Sequence, residues 1–507
     1  MSYPKDVLDI KRNLLKESSS YAPNLIDNIS HSNYYDQTKI ILDARKAFDG
    51  LIPYSGLGAN STNDYFSSID LIGGGKLKAD EDYSDVDLSL KIGGRYSNNT
   101  ITSDIPFFVS GMSYGSLKLP AKIALHIALN KLAIEDGIKV IMNTGEGGAL
   151  PWEIYGTDTN NNSIMEYAER LLSEHNLDSM DREQLFQRHY PLVVQYASGR
   201  FWRDPSYLMK PDAIEIKIGQ GAKIGHGGLL PGTKVTDLVA ENRGIPPYKS
   251  AHSPSRHLDI LGPEDLVAKI LELREVTDWN SPIIVKVGAS RVSDDIQIIL
   301  KSYADSAAID GYTGGTGAAP WEIRDIIGIN TVPAIRLGKE AIDDYYSTKE
   351  EKDEFKLLAH GGIWDSKRIA KCIALGANGV GIGTGFLLSM GCTLVQDCYT
   401  NTCPAGLTGS YEKLDMESSI KRIINYIKGT MVELQNIVGS LGKKRIKDLD
   451  KDDLCATDEI SSIVSGVSHN NKNYFRQITD KNRKAENQST YGKRIGLKIE
   501  SKREIHH

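Results

Sequence analysis

Three of the chain's five cysteines fall within twelve residues: Cys392, Cys398 and Cys403, in the stretch GCTLVQDCYTNTCPAG. Their spacing is Cys-x5-Cys-x4-Cys, with Pro404 directly after the last. Three thiolates on one irregular loop can hold an iron–sulfur cluster, which implies one-electron chemistry. A loop with three reduced structural thiols is the reading the spacing leaves open beside it. Zinc fits less well, because there is no CxxC pair and no fourth Cys or His close by in sequence. A disulfide would need an oxidising compartment. The N-terminus, MSYPKDVLDIKRNLLKESSSY, lacks the apolar stretch of a secretory signal and supplies none.

A second group of residues with chemical potential is glycine-rich. Of 47 glycines, many cluster at Gly73–Gly75, Glu146–Gly148, His226–Gly228 and Gly314–Gly317. One such cluster reads as an ordinary turn, but four together point to backbone that approaches a ligand closely. The net charge of -6 provides no basic footprint for nucleic acid. No run of about 18 apolar residues suggests a membrane span. The expectation is a cytoplasmic protein.

These residues must be positioned by elements, and the elements have a recognisable rhythm. Residues 1–95 are polar and rich in Tyr, Asn, Ser and Asp, with a helix expected over Gln37–Phe48. From about residue 100, strand-length apolar runs alternate with helix-length amphipathic segments, the pattern of a parallel sheet with crossover helices. Eight strands are expected: Pro106–Ser110, Lys139–Asn143, Leu192–Tyr196, Ala213–Ile218, Ile283–Val287, Ala307–Asp310, Lys356–Ala359 and Gly379–Ile382. Helices are expected at Leu119–Glu135, Pro263–Val276, Ser293–Tyr303 and Ser366–Leu375. The fold class is therefore α/β: a (β/α)8 TIM barrel over 96–437, with an α+β extension over 1–95 and a polar, charged tail over 438–507. A doubly wound open sheet is the alternative that periodicity leaves standing. In a barrel, the site lies at the C-terminal ends of the strands.

Those ends carry SGMSYGS, MNTGEGG, QYASGRF, EIKIGQGAKIGHGGLLPG, VKVG, DGYTGGTGAAP, HGGIWDSKR and GIGTGFL in order. Gly361 and Gly362 precede a helix whose N–H groups could face an anion, and Gly383 and Thr384 add backbone donors and a hydroxyl. Loops after strands seven and eight form the usual phosphate site of such barrels. A phosphate there, with Lys217 and Lys286 on inner strands, fits FMN, because a lysine can stabilise an anionic reduced flavin. Both lysines sit inside apolar runs, where an ammonium without an anion is costly.

With these motifs and NTCPAG in view, the stretch from about 70 to 435 resembles the flavin and iron–sulfur synthase domain of the glutamate synthase family. The resemblance implies a barrel with FMN and a 3Fe-4S cluster, reductively aminating 2-oxoglutarate to L-glutamate with ammonia and external electrons. It also implies roles for residues. Cys392, Cys398 and Cys403, on the loop 392–404, match cluster ligands, and Met112, Ser113, Gln195 and Lys217 match flavin-side positions. The Gly361/Gly362 and Gly383/Thr384 loops match the phosphate site. Gln220, Lys223 and Arg243 match positions that hold the oxoacid, with Lys217, Lys223 and His226 as the catalytic candidates. Glu146 either lines the same pocket or is structural.

The chain departs from the family pattern at His226 and Leu229, where the family has Glu and Gln, and at Tyr312 and Thr313, where it has His and Asp. These departures leave room for another amine or 2-oxoacid, as in the flavin subunit of N-methylglutamate synthase, or for an electron-transfer subunit of a larger complex. The first cysteine is Cys372, and no strand–GxGxxG–helix unit or second cysteine run is present. Electrons are therefore expected from a ferredoxin or separate reductase, and nitrogen from solvent, a glutaminase or another partner subunit.

Overall fold

The computed structural model describes residues 54–55, 64–73, 83–156, 163–175, 177, 186–202, 205–349, 353–396, 398–409 and 414–469. The helix expected at Gln37–Phe48 and the residues beyond 469 lie outside them.

Eight parallel strands close into a barrel: β1 (Phe107–Val109), β2 (Met142–Glu146), β3 (Leu192–Tyr196), β4 (Ala213–Lys217), β5 (Ile283–Gly288), β6 (Ser306–Asp310), β7 (Lys356–His360) and β8 (Gly379–Ile382). Sequence order is spatial order, and β8 pairs with β1 to close the ring. The open-sheet alternative is thereby excluded. Seven of the eight strands overlap their expected positions almost completely. The exception is β2, expected at Lys139–Asn143 but formed by Met142–Glu146. Glycine in NTGEGG reads as loop, yet the strand runs through Gly145 (φ +77°) with a register shift between Asn143 and Glu146. That irregularity carries Glu146 to the barrel rim.

Strand alternation sorts side chains into the barrel interior at every second position. Phe108, Val193, Ala213, Ile284, Ala308 and Leu358 form a buried apolar layer with Leu90, Ile92 and Ile101. The last three belong to an antiparallel hairpin, Leu90–Gly93 with Thr100–Ser103, which floors the barrel. Asp305 locks that floor in place. Its carboxylate accepts from the Tyr96 and Ser97 N–H groups, from Ile283 N and from the fully buried Arg274 guanidinium at 2.6 Å. Two residues further along the same strands, the inward positions become polar: Ser110, Gln195, Glu215, Lys286, Asp310 and His360. The site is the upper continuation of the core periodicity.

The charge run at Lys443–Asp453 does not form the solvated helix that its composition suggests. It makes two 3-10 turns, Ile446–Asp448 and Lys451–Asp453, followed by a strand, Leu454–Ala456, antiparallel to Ile69–Leu71. Ile446, Leu449 and Leu454, spaced among the charges, are buried against the barrel's outer layer. The expected boundary at 437 falls inside the helix Met416–Ser440, which packs along Leu119–Glu135.

Candidate functional site in the barrel mouth

A cavity enclosing about 1310 Å³ of atom-free space, its open mouth included, fills the C-terminal end of the barrel. Met112, Ser113, Gln195, Lys217, Gln220, Lys223, Arg243, Lys286, Gly361, Gly362, Gly383 and Thr384 all line it. The structure thus gathers into one wall every flavin, phosphate and oxoacid position expected from the sequence. Glu146, Leu229 and Cys398 join them.

His226 does not. It is exposed and absent from the cavity wall, on a turn where its N–H bonds back to Lys223 O at 3.1 Å. Gly225, at φ +77°, turns the chain outward just before it. Leu229 faces the cavity instead, from a two-residue strand paired with Ala251–His252.

Lys217 and Lys286 stand side by side in register on β4 and β5. Each has its own carboxylate. Lys217 reaches Glu146 Oε2 at 3.2 Å, and Lys286 reaches Asp310 Oδ2 at 3.2 Å. Burial works against the Glu146 anion, but Lys217, Ser253 and Arg243 together hold its carboxyl down at about 2. Asp310 is likewise lowered against burial by Lys286.

Among the described residues, Lys223 and Arg243 have no such partner in direct contact. Lys223 Nζ donates to Ala318 O at 2.7 Å, and burial with repulsion from Lys217 pushes it down to about 7. Arg243 donates from Nη2 to Ser113 Oγ, Tyr114 O and Glu146 O, at 3.0, 2.9 and 3.2 Å. Its buried Nε has no partner among the described residues. Gln220 donates to Thr316 Oγ1 at 3.0 Å, and Gln195 to Glu215 Oε1 at 2.6 Å.

Sequence reasoning quoted Asp310, His360, Ser110 and Glu215 within motifs but assigned them no role, and passed over Ser253. Strand alternation was the signal for four of these, since each stands two residues beyond an inward apolar residue. Ser253 follows a short hairpin strand and had none. His360 hydrogen-bonds Ser110 Oγ through Nδ1 at 3.1 Å and leaves its buried Nε2 without a partner. Burial and Lys286 keep this imidazole neutral, at about 3. A Cβ on Gly381 would fall 2.0 Å from the His360 ring, so only glycine fits there.

The turns expected to meet a phosphate both line the cavity, with one change at the helix that follows the first. The helix Ser366–Ala374 after Gly361/Gly362 is capped by Asp365, whose carboxylate already accepts from Arg368 N. Its N-terminus is thus occupied. An anion would instead meet the turn itself, with Gly361 and Gly362 at φ +102° and +67°, and the Gly383–Thr384 backbone opposite.

The cysteine loop leaves the helix Thr384–Ser389 and folds over the cavity rim. Cys398 lies on the wall, Cys392 is half-buried and Cys403 is buried. All three are free thiols. Burial pushes the Cys398 thiol up to about 11, its neighbours Cys392 and Cys403 adding to the rise and Lys234 opposing it. Each thiol is thus within electrostatic reach of the other two. Among the described residues, no group of three or more His, Cys, Asp or Glu could hold a single metal ion. A multi-iron cluster sets its thiolates wider apart than one ion does. Leu394, Gln396 and Asn401 adopt positive φ (55°, 64° and 68°), each costing on the order of 1–3 kcal/mol in non-glycine residues. The surroundings must hold this loop in place.

Residues 76–444 match the family model described as the conserved region in glutamate synthase. The chain is 38% identical over 351 residues to an archaeal glutamate synthase (NADPH) of Methanocaldococcus jannaschii, covering 68% of this chain and 61% of that one. It is 32% identical over 434 residues to a glutamate synthase large subunit-like protein of Rhizobium meliloti, covering 81% and 89%. The matched region thus spans less than two thirds of the archaeal relative's length. A flavocytochrome b2 variant with sulfite bound is a distant structural neighbour, at 16% identity and a TM-score of 0.47, covering 92% and 96%. That likeness is too weak to carry an argument about ligand or reaction. The extent of the family match and the identity to these relatives place the chain in the glutamate synthase family.

Proposed function

We propose that this protein is a glutamate synthase-type flavoprotein oxidoreductase that reductively aminates 2-oxoglutarate, with FMN in the barrel mouth and a 3Fe-4S cluster on the loop 392–404. The observation that carries the reading is that one cavity is lined both by the glycine turns after β7 and β8 and by Lys223 and Arg243.

The residues present fit both groups. The Gly361–Gly362 turn offers backbone N–H groups to a phosphate, and His360 Nε2 is a buried polar atom still lacking a partner. Lys217 and Lys286 can counter charge on the ring. Three mutually close thiols supply the donor set of a cluster, and Cys398 on the cavity wall joins the two sites. When bound, FMN supplies a hydride for the imine carbon, and the cluster supplies electrons one at a time.

The chain's own side chains supply the rest. Arg243 and Lys223 hold the two carboxylates of the oxoacid, and Gln220 orients it. Lys223 can hold or release a proton near neutral pH, where imine formation between the oxoacid and an amine exchanges protons. Glu146 fixes Lys217 and supports Arg243 through its carbonyl. Phe201, Leu229 and Leu230 exclude water from the pocket. Electrons would come from a ferredoxin or a separate reductase, and ammonia from solvent or a partner subunit, in the cytoplasm. Among the described residues, no helix is long and apolar enough to cross a membrane. Leu229 on the wall favours a second reading in which the amine carries an alkyl group.

Anaerobic reoxidation tests the function. Reduced protein mixed with 2-oxoglutarate and ammonia, then with methylamine, should reoxidise rapidly with at least one of them. No reoxidation with any oxoacid–amine pair would sink the reading.

A further inference from the structure

Lys234 has no part in the reading above. It ends the short turn Gly232–Lys234 and is buried, with 1% of its surface exposed. Its ammonium donates to Ser116 O at 2.8 Å and to Cys398 O at 2.9 Å. The first carbonyl belongs to the loop after β1 and the second to the cysteine loop, and both residues stand on the cavity wall. Lys234 therefore bridges the barrel rim and the thiols.

Its electrostatic surroundings are unusual for a buried lysine. Among the described residues, the charged groups that act on it most strongly are Cys398, Lys118, Cys403 and Arg243. An ammonium buried among carbonyls and other cations is costly unless an anion stands beside it. Of these four neighbours, only the two sulfurs can become negative. Other anchors hold the loop on either side of Cys398: Arg324 Nη1 donates to Gln396 Oε1 at 3.2 Å, Asn401 Nδ2 to Thr233 O at 3.4 Å and Lys118 N to Leu407 O at 2.9 Å. At Cys398 itself, Lys234 holds the backbone carbonyl.

We propose that Lys234 is the positioning residue of the cysteine loop, clamping Cys398 to the cavity rim and offsetting the negative charge of the thiolates. The charge half rests on the cluster proposed above, and the clamp half on geometry alone.

Two variants separate the halves. Lys234→Met removes both donor and charge, whereas Lys234→Gln keeps an N–H donor and loses the charge. In the full chain, stripped of iron by a chelator under reducing conditions, alkylation of Cys398 by iodoacetamide is followed by peptide mass spectrometry. Lys234→Met should speed it about tenfold, the scale of one lost charge-assisted hydrogen bond, and Lys234→Gln far less. In the anaerobically purified full chain, the midpoint potential of the cluster's paramagnetic signal should be lower in Lys234→Gln than in wild type, because losing a nearby cation disfavours the added electron. Unchanged alkylation in a Lys234→Met protein with native circular dichroism overturns the clamp. An unchanged midpoint in Lys234→Gln overturns the charge role, and this variant carries the test if Lys234→Met does not fold. Wild-type protein without a three-iron signal would defeat the cluster reading, and the alkylation rates would still decide the clamp.

Discussion

The lysines around the barrel mouth fall into two kinds. Those on strand ends, Lys217 and Lys286, each meet a carboxylate at 3.2 Å and form closed pairs with Glu146 and Asp310. Those on the turns above, Lys223 and Lys234, donate among the described residues to backbone carbonyls alone and are pushed down to about 7, chiefly by burial. The strand-end pairs complete their own electrostatics and make the floor of the site rigid. The turn lysines leave theirs incomplete, and incomplete buried charge is what a site for an external anion requires. The difference separates lysines that carry their own counterion from lysines that await one.

The largest effect should come from breaking a closed pair. Glu146→Gln leaves Lys217 buried without its anion and should cost about 3–5 kcal/mol of stability, read as a lower denaturant midpoint. The pH dependence has a definite sign. The Glu146 carboxyl, at about 2 in the folded state, lies below its ordinary value near 4.5. Its contribution is therefore fully present above that value and is lost as pH falls towards about 2. Stability that did not fall on acidification through this window would contradict the pairing.

Opening the other kind of lysine should spare the fold and damage binding. Lys223→Met should weaken 2-oxoglutarate binding by about 2 kcal/mol, roughly thirtyfold, with little loss of stability. In the wild type, oxoacid affinity should fall as pH rises above about 7, because the free Lys223 ammonium loses its proton there. A flat affinity profile between pH 6 and 9 would assign the carboxylate grip to Arg243 alone.

Gly381→Ala should come next, since the added methyl meets the His360 ring and displaces the one neutral imidazole of the cavity wall. Flavin content of the purified variant measures this, and a fully loaded protein would count against His360 as a cofactor contact. The smallest effect is expected at His226. Because it is exposed and off the wall, His226→Ala should change turnover by no more than about twofold.

The barrel and most of its wall were legible in the sequence because strand alternation and glycine turns are local signals. Alternation also explains why Asp310 and His360 belong to the wall, although their motifs alone assigned them nothing. Three features were hidden for physical reasons. The β2 irregularity at Gly145 looks like loop, because glycine weakens a strand signal even when the ladder continues. The fold of residues 443–456 depends on three apolar residues diluted among charges, so composition hides it. The outward aim of His226 is set by the backbone of the turn at Gly225, which spacing cannot convey. The Lys217–Glu146 pair is a tertiary contact between strands far apart in sequence, and no local pattern announces it.

The cations that lack carboxylate partners among the described residues should mark where this protein receives anions, with Lys223 the receiver of the oxoacid. Calorimetric titration of 2-oxoglutarate into the wild type and into Lys223→Met at pH 6.5 tests this most directly. Binding to the wild type is expected, with affinity lower by roughly thirtyfold in the variant. Equal affinity in the two proteins would contradict it.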